Sequence, residues 1–242
     1  MKLKKLFPQK KPLAISSGHE VSEHRATNGE VIKEIHKPIH INTNLPAGSI
    51  VKNIHGDIRI KNFSTEGTKV YNTYGNVFVN GDVINSTRIE NSSGGVSILA
   101  QDSIHEVFME AIHGHNDIAS PKITSATVNA THGTAALKAI TLKDIDISST
   151  HNPVVIDARY LQKLKNVSVS TVHGDLIVVL APLRKQETFE LVSQIKFQSA
   201  HGKIIMICKE ADAGYDAIGV DKTSYQEIKS LPGQPPQLGH HG

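Results

Sequence analysis

Tryptophan is missing from this chain of 242 residues, and cysteine occurs once, at Cys208. A lone cysteine closes no internal disulfide, and it fits a reducing compartment. No stretch approaches the ~20 consecutive apolar residues of a membrane-spanning helix. Aromatic residues make up only 5% of the chain, so its apolar supply is mainly Val, Ile, Leu and Ala. That supply suits strands better than a helical bundle. Neither sign of charge is in excess: 26 Lys and Arg against 23 Asp and Glu leave +3. The basic residues are dispersed as well, which argues against a nucleic-acid surface.

One basic cluster stands out, "MKLKKLFPQKK", with five lysines and no acid. It reads as a solvated tail. Residues 1–11 also offer weak peripheral contact with an anionic membrane, where each Lys adds about 1 kcal/mol. Pro8 and the following lysines break up the apolar run of roughly 7–15 residues that a secretory signal needs. The expected compartment is therefore the cytosol, with export by a route that uses no cleaved signal as the alternative.

A phrase then begins to recur. "KNIHGDIRI" (Lys52 to Ile60) follows "KEIHKPIHI" by nineteen residues and precedes "YNTYGNVFV" by nineteen. With the residue before the turn glycine as a mark, the marks are His36, His55, Tyr74, Ser93, His113, His132, His151, His173 and His201. Their intervals are 19, 19, 19, 20, 19, 19, 22 and 28. Seven of the nine marks are His, although only 14 of the 242 residues are. Apolar residues sit four before the mark, as in Val51, Val70 and Ile89, and three and five after it, as in Ile58 and Ile60 or Val77 and Val79. Period-two alternation on either side of a bend is the signature of half-buried strands.

Nineteen residues cannot hold a strand–helix–strand unit, whose crossover alone takes a dozen or more. They suit one coil of a solenoid. The expected fold is all-β: a parallel β-solenoid (β-helix) of about nine ~19-residue coils with capped ends, stacked at about 4.8 Å. A third short side is expected at Ile104, Ile123, Leu142 and Leu161. The interval of 20 predicts a bulge near His115 to Asp117. The interval of 28 holds "APLRKQETFELVS", an excursion or part of a cap. Residues 1–30 read as basic tail and cap, 31–208 as the solenoid, and 209–242 as C-terminal cap and disordered Pro/Gly-rich tail.

Stacking turns each position into a column. Asn53, Asn72 and Asn91, two before the mark, read as an internal amide ladder in which each side chain bonds to the next coil. The mark itself, His36, His55, Tyr74, Ser93, His113, His132, His151, His173 and His201, reads as a turn column of flat rings. Parity alone would point it inward, but the adjoining glycine bend leaves its direction open. Neutral imidazoles stacked on one another are the structural reading. His113, His132, His151 and His173 are the candidates for a metal, although a flat row lacks the convergence that an ion needs. No cofactor is expected.

Catalysis finds little support. Asp57 and Asp175 occupy equivalent turn positions many coils apart, and Asp117, Asp144 and Asp146 are scattered. No nucleophile elbow, zinc-protease motif or phosphate-binding glycine loop occurs.

The run from Gly56 to Gly202, with "IHGDIRIKN", "VNGDV", "SSGGVSI" and "TVHGDLIVV", resembles a bacterial adhesin-type β-solenoid repeat family. It also resembles, more weakly, the bactofilins, which are polymer-forming cytoskeletal solenoids. His in place of a small residue before Gly departs from both patterns, and no functional residue carries over. The resemblance implies a non-enzymatic binding or scaffold module that presents a rigid face to a protein partner or to itself. The alternatives are a bactofilin-like polymer and a carbohydrate-active enzyme of the polysaccharide lyase or hydrolase type on a solenoid face.

The column carries one expectation for solution behaviour. Charged rings ~4.8 Å apart repel by roughly 1 kcal/mol at a water-like dielectric. The unfolded chain escapes that repulsion and binds protons more readily, so stability falls as pH drops through the ~6.5 region of imidazole. Urea unfolding midpoints should decline from about pH 7.5 to about pH 5, and a flat profile contradicts the expectation.

Overall fold

The computed structural model describes residues 22–23, 31–159, 161–180 and 194–208. Among them there is no helix, and every strand pairing is parallel. The chain is a parallel β-solenoid of about eight turns. Among the described residues nine rungs stack, separated by eight steps, and most of them have three sides.

The first side comprises Val31–Glu34, Ile50–His55, Lys69–Tyr74, Thr87–Ser93, Val107–His113, Ala126–His132, the second halves of Thr141–Ser149 and Lys163–Thr171, and Ile195–Ser199. The second side starts at Ile39, Ile58, Val77, Val96, Asn116, Ala135, Val154, Leu176 and Ile204. The third is short and holds Ile84, Ile104, Ile123, Leu142 and Leu164. Leu164 takes the place expected for Leu161, because the three extra residues of that turn enter before the third side begins. Leu161 packs on the core from its margin. Ser22–Glu23 pairs with Ile39 and His40, so strand pairing begins inside the segment read as tail and cap. The remainder of 1–30, the 181–193 excursion and 209–242 lie outside the described residues.

The core is built of columns. Val51, Val70, Ile89, Met109, Val128, Ile147 and Val169 line the first side, and Ile60, Val79, Ile98, Ile118, Leu137, Ile156 and Val178 line the second; all are buried. Outside, arginines lie over the aromatic ring of the next rung: Arg59 over Phe78 at 4.6 Å and Arg88 over Phe108 at 4.1 Å. Such cation–π contacts contribute about 0.5–1 kcal/mol at exposed sites.

The three corners differ. Between the first and second sides the mark column turns the chain, and the next strand always begins three positions after the mark. Between the third and first sides Gly48, Gly67, Ser86, Asp144 and Asn166 all have positive φ. Three of these five are not glycine, and small polar residues tolerate that region best. Between the second and third sides lie the register irregularities. The Lys61–Thr65 shift, the one-residue insertion within Ala100–Ser103 and the three extra residues after Asp157 all fall there. The bulge expected at His115 to Asp117 is therefore misplaced. Asn116–Ala119 pairs without a break to Val96–Leu99, and the extra residue sits at Gln101 or Asp102.

The glycine after the mark answers to backbone conformation on the earlier rungs and to steric crowding on the later ones. Gly56, Gly75, Gly94 and Gly114 have φ of +115°, +117°, +116° and +99°, whereas Gly133, Gly174 and Gly202 lack a positive φ, as do Lys37 and Asn152 in the same column. A Cβ on Gly133 would lie 1.9 Å from the carbonyl oxygen of Gly114 on the rung below. Gly133→Ala should therefore force the rungs apart and lower stability by about 3 kcal/mol. His132→Ala, next to it but exposed, should cost less than about 1 kcal/mol. Equilibrium urea unfolding of the two variants checks the contrast.

Candidate functional site

The corner that carries the mark column is the most distinctive surface of the molecule. Two residues before the mark the side chain is buried on most rungs, and the mark and the residue before it are exposed or half-buried. The direction left open by the sequence is therefore outward. His36, His55 and Tyr74 form one stack, with centroids 5.3 and 5.0 Å apart and planes within 10° of parallel. Ser93 interrupts it. His113, His132, His151, His173 and His201 form a second stack, with centroids 5.2, 4.5, 5.7 and 4.8 Å apart. Rung spacing fixes these distances, because strands in one sheet stand ≈ 4.7–4.9 Å apart. In water-exposed rings the repulsion between protonated neighbours stays near 1 kcal/mol per pair.

The residue before the mark adds an apolar rim. Ile35, Ile54, Ile112 and Val172 hold this position and are 39–46% exposed, and Tyr74 beside them is 53% exposed. Thr73, Ser92, Thr131, Thr150 and Ala200 occupy the intervening rungs. One edge of the solenoid thus carries aligned rings flanked by aliphatic and hydroxyl side chains.

Behind this edge the inward column holds the bend. Asn53, Asn72 and Asn91 are buried, but they do not bond to one another as an amide ladder. The Asn53 amide donates to the carbonyls of Gly56 (3.2 Å) and of Lys37 on the previous rung (3.0 Å). Asn91 does the same with Gly94 (2.9 Å) and Gly75 (3.1 Å). The Ser149 hydroxyl donates to Asn152 O at 2.7 Å, and Thr171 donates to Gly174 O. The shared task is to satisfy the carbonyl just past the turn, which an amide or a hydroxyl does equally well. Where Ala111 lacks such a group, Asn116 reaches Gly114 O at 3.4 Å from the other side of the bend. Asn72 is buried without a hydrogen-bond partner among the described residues.

The repeated contact between neighbouring rungs lies two residues after the mark. Asp57 Oδ1 accepts the backbone N–H of Asn76 (2.9 Å), and Asn76 Oδ1 accepts that of Gly95 (2.8 Å). Asp175 Oδ1 accepts the N–H of Lys203 (2.9 Å). Asp57 also binds Arg59 at 2.9 Å. These carboxylates are anchored to the turns. Asp144, at the left-handed corner, accepts a hydrogen bond from the Asn166 amide (2.7 Å), which holds its carboxyl below the usual range. Among the described residues no three His, Cys, Asp or Glu side chains converge on a point that could hold a metal ion.

A second feature was missed from the sequence. On the outer face of the second side, Ala136, Val155, Ile177 and Ile207 are buried, with Val179 and Ile205 packed against them. The signal was present in "PVVID", "DLIVV" and "KIIMI", which lose the alternation of earlier rungs. Continuous apolar runs mark strands covered on both faces. Beside this cluster, Asp157 is held by Arg159 through Nε (2.9 Å) and Nη2 (2.7 Å), and buried Lys138 lies 3.9 Å from it. Burial is the main cause that lowers the Lys138 pKa to about 8; Asp157 opposes the shift and Arg159 adds to it.

No family profile, curated protein or solved structure matches the chain.

The Lys138 environment sets a pH dependence. Between about 8 and the ordinary 10.5, the folded chain has released a proton that the unfolded chain still holds. Stability contributed by this group therefore rises with pH across that window. Lys138→Met should abolish the rise while Arg159 keeps Asp157 paired. The difference in urea midpoint between parent and variant at pH ~8 and pH ~10 measures it, and an unchanged difference contradicts the assignment.

Proposed function

We propose that the protein is a non-enzymatic binding and scaffold module, and that its recognition surface is the ring-bearing edge. The observation that carries this reading is the exposed row of Ile35, Ile54, Ile112 and Val172 beside the aligned rings. Ile35 and Ile54 lie on neighbouring rungs, Ile112 and Val172 farther along, and no described element covers them; exposed apolar side chains aligned on one edge support an interaction surface. The acids nearest the edge, Asp57 and Asp175, are engaged in holding turns, which weakens the carbohydrate-active alternative.

The partner that fits is a second copy of the same solenoid, laid side by side. Any partner that contacts the edge along its length must match a repeat of about 4.8 Å. A second copy matches it without adjustment, and under two-fold symmetry the same patch serves both chains. The net charge of +3 is small enough to permit close approach. The bactofilin-like alternative, end-to-end polymerisation through terminal rungs, uses a different surface and gives a different product.

Sedimentation at increasing concentration separates them. Lateral pairing predicts a monomer–dimer equilibrium that the double variant Ile54→Asp/Ile112→Asp weakens at least tenfold. Strictly monomeric behaviour up to about 100 μM, or filaments that persist in the double variant, would defeat the lateral reading; 100 μM corresponds to only about 5 kcal/mol of association free energy.

A further inference from the structure

The ring column is broken once, and the break has a shape of its own. Strand register sets Ser93 between Tyr74 and His113. Tyr74 stacks one face on His55, and His113 stacks one face on His132. Their other faces open on the Ser93 rung. Gly94 and Gly95 follow Ser93, so nothing longer than a serine side chain projects from this turn. Tyr74, on the rung beside it, reaches further than a histidine and is 53% exposed. The edge thus carries a projection and a notch on adjacent rungs. We infer that the two copies of the lateral pair run antiparallel, with Tyr74 of each filling the Ser93 notch of the other. The inference rests on the lateral pairing proposed above and adds direction and register to it.

A two-fold axis perpendicular to the solenoid, midway between the Tyr74 and Ser93 rungs, exchanges those two levels. It also exchanges the levels of His55 and His113, and those of His36 and His132. Tyrosine then meets serine twice, with histidine against histidine on either side. A tyrosine and a serine together reach about as far as two histidines, so the two backbones stay evenly separated along the contact. The row before the mark has the same symmetry. Ile54, Thr73, Ser92 and Ile112 read aliphatic, hydroxyl, hydroxyl, aliphatic in either direction. Ile54 therefore faces the partner's Ile112. On the other flank, two residues after the mark, Asp57 comes level with the partner's exposed His115, an acid against an imidazole. Three columns share one centre. A two-fold parallel to the solenoid would instead set every position against itself. Tyr74 would meet Tyr74 and Ser93 would meet Ser93, too long at one level and empty at the next. The antiparallel arrangement overlaps the rungs from His36 to His132, five steps or roughly 24 Å. A contact of that length along one edge belongs to the weak, concentration-dependent class.

Sedimentation of the full chain tests the register. Ser93→Tyr sets tyrosine against tyrosine and should weaken dimerisation at least tenfold. Tyr74→Ser empties both levels and should weaken it at least threefold. The exchange Tyr74→Ser/Ser93→Tyr rebuilds the complement on swapped rungs and should return the dissociation constant to within threefold of the parent. Circular dichroism should report an intact fold for each variant. Direction is read by cross-linking in a Cys208→Ser background with a short bis-maleimide. Ile35 and the partner's Thr131 share a level, so Ile35→Cys mixed with Thr131→Cys should cross-link, and neither should cross-link alone. A dimer unchanged by Ser93→Tyr, an exchange that restores nothing, or Ile35→Cys cross-linked to itself would overturn the register and leave lateral pairing standing. Strictly monomeric behaviour of the parent up to about 100 μM would overturn both.

Discussion

The hydrogen-bonded spacing of parallel strands governs this molecule. Every rung rests on the next at about 4.8 Å, and each side chain must tolerate its equivalent at that distance. Aliphatic columns meet the requirement by packing, the turn glycines by offering no Cβ to the carbonyl beneath, and the flat rings by lying parallel. Backbone amides carry the ladder through the bends as well, as in Gly56 N–H to Tyr74 O and Gly75 N–H to Ser93 O, both at 2.9 Å. The exposed edge is therefore periodic because the backbone is periodic, and its chemistry is repeated by construction.

What the sequence disclosed follows from the same constraint. A column reads clearly when one residue type meets its demand, and so the His marks, their glycines and the aliphatic positions gave the register. Columns whose demand several residue types satisfy were obscure. The positive-φ corner is filled by Gly48, Gly67, Ser86, Asp144 and Asn166, which share backbone conformation and little else. The inward column before the ring passes from Asn53 and Asn91 to Ser149 and Thr171, and all four bond the same carbonyl position. Three successive Asn looked like mutual bonding, whereas Asn53 and Asn91 are committed to the bend and Asn72 bonds to neither neighbour. The bulge was misplaced for a simpler reason: an interval between marks states that a residue is extra, without saying where in the turn it lies.

The C-terminal half departs from the plain repeat in a coordinated way. Its outer second side becomes apolar, and a Lys, an Asp and an Arg lie buried or half-buried beside it. Burying a carboxylate costs several kcal/mol unless its hydrogen-bonding capacity is met, and two guanidinium contacts meet it here. The lysine is left in the less favourable position, in which loss of its proton is eased by its surroundings. Polar chemistry in this solenoid is thus divided between solvated rings on one edge and a covered ionic cluster on another face.

Three corners under one repeat leave unequal freedom to vary. Among the described residues, odd residues accumulate between the second and third sides and are absent from the ring corner. Material added at the permissive corner is taken up between the paired stretches of the second and third sides, so later rungs are renumbered without losing their register. The molecule can therefore acquire new loops, or be given them by engineering, while the opposite edge keeps its alignment; a ruler of stacked rings survives changes in the length of the chain that carries it.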